Sequence, residues 1–137
     1  MKTFKFLEHT ADIKFRAFGK SIEEAFSNSA LAMFNSMYKE KIKEEKEIEI
    51  SVEGHDLISL LYNFLEELIF YLDSENFFLS IIKEIKIDKE KFKLSAKLGG
   101  DNAENYKIGL DVKAITYSDM QVLEKDKKWL TQVVLDV

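Results

Sequence analysis

Residues 4–26, FKFLEHTADIKFRAFGKSIEEAF, change hydrophobic period twice. Phe4 and Phe6 alternate with Lys5, and Ile13, Phe15 and Ala17 alternate with Lys14 and Arg16. A period of two is that of half-buried strands. Between them Glu8-His9-Thr10-Ala11-Asp12 is a polar break, and Gly19 closes the second strand. Ser21-Ile22-Glu23-Glu24 then reads as a capping box, with Ser21 as N-cap and Glu24 reaching back. Apolar residues continue at Ile22, Ala25, Phe26, Ala30, Met33, Phe34 and Met37, which is helical spacing. The chain therefore opens strand, strand, helix.

Outward from this stretch, the charged run Lys39 to Lys46 reads as a loop or solvated helix end. Ile48, Ile50 and Val52 alternate as a strand, and Gly54-His55-Asp56 turns the chain, with Asp56 placed to cap a second helix. Leu57 to Leu72 is apolar on more than one face but carries Glu66 and Glu67, so it reads as a central buried helix. Phe77 to Ile87 is a strand whose parity breaks at Lys83, the signature of a bulge. After a turn at Asp88-Lys89-Glu90, Phe92 to Leu98 returns as a hairpin, and Gly99 to Asp111 reads as loop. Val112–Tyr117, Met120–Leu123 and Trp129–Val137 complete the chain as three strands. The order predicts an α+β fold: an antiparallel or mixed β-sheet with two helices packed on one face, one domain over residues 1–137.

Composition removes several function classes. There is no cysteine among the 137 residues, which excludes zinc-thiolate sites, disulfides and thiol nucleophiles. No apolar run approaches the roughly 20 residues of a membrane helix and no signal-peptide core is visible, so a cytoplasmic protein without membrane partners is expected. The net charge of −5 argues against an autonomous nucleic-acid binder, although a local basic patch is compatible with an acidic total. G-x-S-x-G, P-loop and G-x-G-x-x-G patterns are all absent.

Three features remain as candidate chemistry. His9, Thr10 and Asp12 lie in the first polar break, where such residues also serve turns. Asp136 is a carboxylate at the end of an apolar strand, sharing a parity with Gln132 and Val134, and a solvent-facing position explains it equally well. Lys113 sits among Val112, Ala114 and Ile115, where an ordinary surface lysine is the plain alternative. His55, between Gly54 and Asp56, reads as a turn histidine.

Together these pieces are less easily independent. Phe4-Lys5-Phe6-Leu7-Glu8-His9-Thr10-Ala11-Asp12-Ile13, the Gly19 to Phe26 helix start, Val112-Lys113-Ala114-Ile115-Thr116-Tyr117 and Val134-Leu135-Asp136-Val137 resemble the archease family, in the family's order and across the whole chain. The resemblance implies a small α+β accessory protein of tRNA splicing. Its partner would be the GTP-dependent RNA ligase of the RtcB class, with tRNA met indirectly through that ligase. Archeases promote guanylylation and multiple turnover of the ligase, broaden its nucleotide use, and have been described as chaperone-like. On that resemblance Asp12 and Asp136 match the metal-binding acidic positions, with Val137 adjoining them, and Lys113 matches the functional lysine. An all-oxygen anionic set suits a hard divalent cation, Ca²⁺ or alternatively Mg²⁺, with His9 supporting it by hydrogen bonding and not as a ligand. The set works only if the last strand runs beside the His9–Asp12 loop. Tyr106 and Ser118 stand where family members often carry histidines, so no histidine role is carried over to them. Two rivals stay open: a metal-dependent phosphohydrolase or nuclease using Asp12, Asp136 and Lys113, and a general chaperone without metal.

Overall fold

A computed structural model describes residues 3–7 and 12–137. Strands β1 (Phe4–Leu7) and β2 (Ile13–Gly19) form where the period of two runs, paired antiparallel from Phe4↔Ala17 to Leu7↔Lys14. Helix α1 (Ile22–Met37) starts on the Ser21 cap, whose Oγ accepts the Glu24 N–H at 3.1 Å. The Glu24 carboxylate reaches back one residue further than expected and accepts the Lys20 N–H at 3.2 Å. Gly19 is needed at this corner, because a Cβ there would stand 2.4 Å from the Ala25 nitrogen.

Next come β3 (Lys46–Glu53), α2 (Leu57–Glu75), β4 (Phe77–Asp88), β5 (Lys93–Asn102), β6 (Ala114–Lys125) and β7 (Lys128–Asp136). Asp56 caps α2 reciprocally with Ser59, and Asn76 ends it in the left-handed conformation, φ 53°. All pairings among the described residues are antiparallel, one of the two arrangements that the sequence order left open, and the strands divide between two sheets where one was expected, ordered β1-β2-β7-β6 and β3-β5-β4. The split follows from the helices: α1 packs on β2, β7 and β4, while α2 packs on β6, β3 and β4, so each helix bridges both sheets. The shared core includes Phe15, Phe26, Phe64, Leu98 and Leu135, none with exposed surface. Phe26 of α1 stacks on Phe64 of α2 at 6.3 Å between centroids, and Phe34 meets Phe78 edge-on at 4.9 Å.

Two segments differ from the sequence expectation. Gly99 and Gly100 are strand, not loop: β5 continues to Asn102 and a single 3-10 turn, Ala103–Asn105, follows. The glycines permit close approach, since a Cβ on Gly100 would lie 2.2 Å from the Phe78 carbonyl oxygen. The strands expected at Val112–Tyr117 and Met120–Leu123 are one strand, β6, that starts at Ala114 and carries an insertion. Thr116 pairs with Val134 and the next pair is Gln121↔Gln132, so four β6 residues stand against one of β7. The insertion lays Tyr117 flat on Tyr62 of α2, 4.1 Å between centroids, and buries Met120.

Candidate functional site

The sheet order puts the last strand in the middle. β7 lies between β2 and β6, with Ile13↔Leu135 on one side and Ala114↔Asp136 on the other. Asp12 precedes Ile13 and therefore stands beside Asp136 at one end of the sheet, while Lys113 precedes Ala114 across the strand. The Lys113 backbone N–H donates to the Asp136 carbonyl at 2.8 Å, extending the ladder to this end. Asp136 and Lys113 are exposed, and Asp12 and Val137 are partly buried. Three candidate residues separated by up to 124 positions are thus brought to one edge of one sheet. His9, with Glu8, Thr10 and Ala11, lies outside the described residues.

Register also fixes which groups back this edge. Residues of even number in β2 and β7 share the outer face, so Lys14↔Val134 and Arg16↔Gln132 form the rows behind Asp12 and Asp136. The Gln132 side chain, 3% exposed, is the hub: its Oε1 accepts from Arg16 Nε at 2.8 Å, and its Nε2 donates to the Asp119 carbonyl at 2.8 Å. The Asp119 carboxylate in turn lies 3.4 Å from Lys14 Nζ. The β6 insertion is tied down by this chain of groups, which includes Asp119 at φ 55°. None of Lys14, Arg16, Asp119 and Gln132 stands out in the sequence as a site residue; the parity shared by Gln132 and Asp136 was the available signal.

Of the two positions where the resemblance led histidine to be expected, Tyr106 has structural work here. The Tyr106 hydroxyl donates to Asp101 Oδ2 at 2.7 Å and accepts the Lys43 N–H at 2.9 Å, tying the charged loop to the end of β5. The Tyr106 hydrogen bond, followed by the Asn102 N–H, holds the Asp101 carboxyl below its usual value. For Tyr106 the Lys43 N–H acts downward, but desolvation and the Asp101 carboxylate outweigh it and the phenol is raised. Ser118 is exposed in the β6 insertion. His55 is in the exposed turn before α2, its Nε2 3.9 Å from Asp56 Oδ2.

A divalent cation, expected here from the sequence, needs several oxygen donors at one point. Among the described residues there is no group of three or more His, Asp or Glu side chains placed to hold a metal. Asp12 and Asp136 supply two carboxylates at one edge, and their oxygens are of the hard type that Ca²⁺ and Mg²⁺ take. In donor chemistry the pair fits; as a full ligand set it needs more.

Comparison with known proteins agrees with this architecture over the full length. The model of the Archease protein family matches residues 4–137. Protein archease of Pyrococcus abyssi is 44% identical over 144 residues, covering 100% of both chains. Protein archease of Methanosarcina mazei is 37% identical, covering 99% of this chain and 97% of its own. Among solved structures, protein 1598 of Methanobacterium thermoautotrophicum superposes with a TM-score of 0.81 at 34% identity, covering 100% of both chains. The Thermotoga maritima archease, described as a possible chaperone, superposes with a TM-score of 0.67 at 22% identity, covering 97% of this chain and 96% of its own, a likeness of fold.

Proposed function

The chain belongs to the archease family, and from that premise we propose that it is an accessory protein of tRNA splicing that activates the GTP-dependent RtcB-class RNA ligase. It promotes guanylylation and repeated turnover of the ligase and performs no catalysis of its own. The observation that carries the proposal is the convergence of Asp12, Lys113 and Asp136 at one end of the first sheet. Two carboxylates and an exposed ammonium, carried at neighbouring ends of β2, β7 and β6, can be offered together to a partner's active centre.

In this reading Asp12 and Asp136 hold a Ca²⁺ or Mg²⁺ ion, with further oxygen donors completing the set. When bound, the ion supplies positive charge to phosphate oxygens at the ligase centre. Lys113 adds a compact positive charge at the same edge, suited to a phosphate or a ligase carboxylate. The Gln132 hub keeps β2, β7 and the β6 insertion in register, so the edge is presented without reorganisation on docking. Lys113 and Asp136 are exposed, so they can engage a partner with little effect on the fold.

The test is ligation by the cognate ligase with RNA in excess over enzyme. The ligase alone should give a burst of about one product per enzyme and then slow, and addition of this protein should sustain turnover. Identical progress curves would refute the proposal. The description of the Thermotoga maritima protein favours a chaperone as the second reading. That reading requires suppression of aggregation of unrelated proteins, with no effect on a folded ligase.

A further inference from the structure

Residues 88–93, DKEKFK, and 124–129, EKDKKW, hold six lysines against four carboxylates in a chain whose net charge is −5. They are the tips of the β4–β5 and β6–β7 hairpins, from different sheets, and the fold brings them together. Lys89 Nζ stands 5.5 Å from the centre of the Trp129 ring. Trp129 pairs with Gly19, which sets Lys20 beside the same tip.

Three of these lysines, Lys125, Lys127 and Lys128, sit where folding alone disfavours them. Lys125 and Lys128 are paired directly across the hairpin, a like-charge juxtaposition that weakens a ladder. Lys127 occupies the second turn position at φ 62°, after Asp126 at φ 53°. Asn-Gly is the sequence that such a turn prefers, and a lysine there carries backbone strain. Three lysines further along the second sheet behave differently: Lys83, Lys86 and Lys97 each lie within 4 Å of a glutamate. Lys89, Lys91, Lys125, Lys127 and Lys128 have no such ion pair among the described residues. Of the local carboxylates, Asp88 is occupied in its own turn, accepting the N–H groups of Glu90 and Lys91, both at 3.0 Å.

We propose that the paired hairpin tips form a contact surface for the phosphate backbone of RNA. Lysines without an ion pair within 4 Å, three of them kept at a cost to the β6–β7 hairpin, match a polyanion. Point-like ammonium groups without an exposed aromatic at the tip give phosphate contact without base stacking, and hence no sequence preference. The tips lie at the opposite end of the first sheet from Asp12 and Asp136, so an RNA strand and the ligase centre can be engaged at once. The choice of RNA over an acidic protein surface rests on the proposed function, but the surface itself does not, and its test needs no ligase.

The experiment is fluorescence anisotropy of a labelled oligouridylate titrated with the full chain at two salt concentrations. With about four phosphates neutralised, affinity should fall about fiftyfold between about 50 and 200 mM salt. Replacing Lys125, Lys127 and Lys128 together by glutamine should weaken binding about tenfold at the lower salt and flatten the salt slope. Lys127→Gly should raise the melting temperature by relieving the turn and still weaken binding, which separates charge from folding. Binding unaffected by the triple substitution, or absent at the lower salt, would overturn the proposal. Binding of polyglutamate but not of oligouridylate would overturn it in favour of an acidic protein partner.

Discussion

Replacing Gln132 by leucine removes the hub behind the proposed site while nearly conserving volume. Two hydrogen bonds disappear, from Arg16 Nε and to the Asp119 carbonyl, both 2.8 Å long. The first is charge-assisted, in a part-buried setting, and is worth about 2 kcal/mol; the second, to a residue with access to water, about 1 kcal/mol. The more apolar side chain at a position only 3% exposed returns about 1 kcal/mol. The net loss is about 2 kcal/mol, which for a domain of this size lowers the melting temperature by about 7 °C. Differential scanning calorimetry of Gln132→Leu, Arg16→Met and the double variant measures it, with a coupling of about 1 kcal/mol or more expected between the two positions. A shift under about 2 °C, or additive single effects, would refute the hub.

Asp136→Ala should melt within about 0.5 kcal/mol of the parent because the side chain is exposed, and calorimetric titration should show loss of Ca²⁺ or Mg²⁺ binding; retained affinity would remove Asp136 from the site. Gly100→Ala should destabilise by about 3 kcal/mol or more, since the new Cβ meets the backbone oxygen of Phe78; denaturant unfolding checks this, and a neutral result would contradict the close approach. Asp101 has a carboxyl held below the ordinary value of 3.8 by Tyr106 and the Asn102 N–H, so the stability it contributes is present above that value and is lost as pH falls through the lower folded value. Asp101→Asn should therefore be less stable at neutral pH and show a shallower loss on acidification below about pH 4, followed by circular dichroism; a slope equal to the parent's would count against it.

How much of this was legible in the residues depended on whether the determining contacts were local. The α1 start was, because Ser21 and Glu24 act within one turn, and α2 with its Asp56 cap was for the same reason. Gly99 and Gly100 misled because glycine marks a loop as readily as a close strand approach, and only the neighbours, Ile81 at Gly99 and Phe77 and Phe78 at Gly100, decide between them. The β6 insertion was read as a boundary between two strands, Val112–Tyr117 and Met120–Leu123, because a polar interruption at Ser118-Asp119 does not distinguish a turn from a bulge. The division into two sheets was not visible, since patterning gives strands their buried faces but not their neighbours. For the same reason the meeting of Asp12, Lys113 and Asp136 depended on β7 lying between β2 and β6, a fact of topology and not of any local segment. The Gln132 hub was hidden by its ordinary appearance as a polar residue alternating in a strand, although burial makes it structural.

The central claim is that the Asp12, Lys113 and Asp136 edge acts on the ligase and not in folding. The most direct measurement is the rate of GMP transfer from GTP to the cognate ligase in the presence of this protein or its Lys113→Ala variant. Lys113 is exposed, so its loss should leave the melting temperature nearly unchanged. The account predicts that the variant loses most of the stimulation of guanylylation while melting as the parent does; full stimulation by Lys113→Ala, or a loss that merely follows a lowered melting temperature, would contradict it.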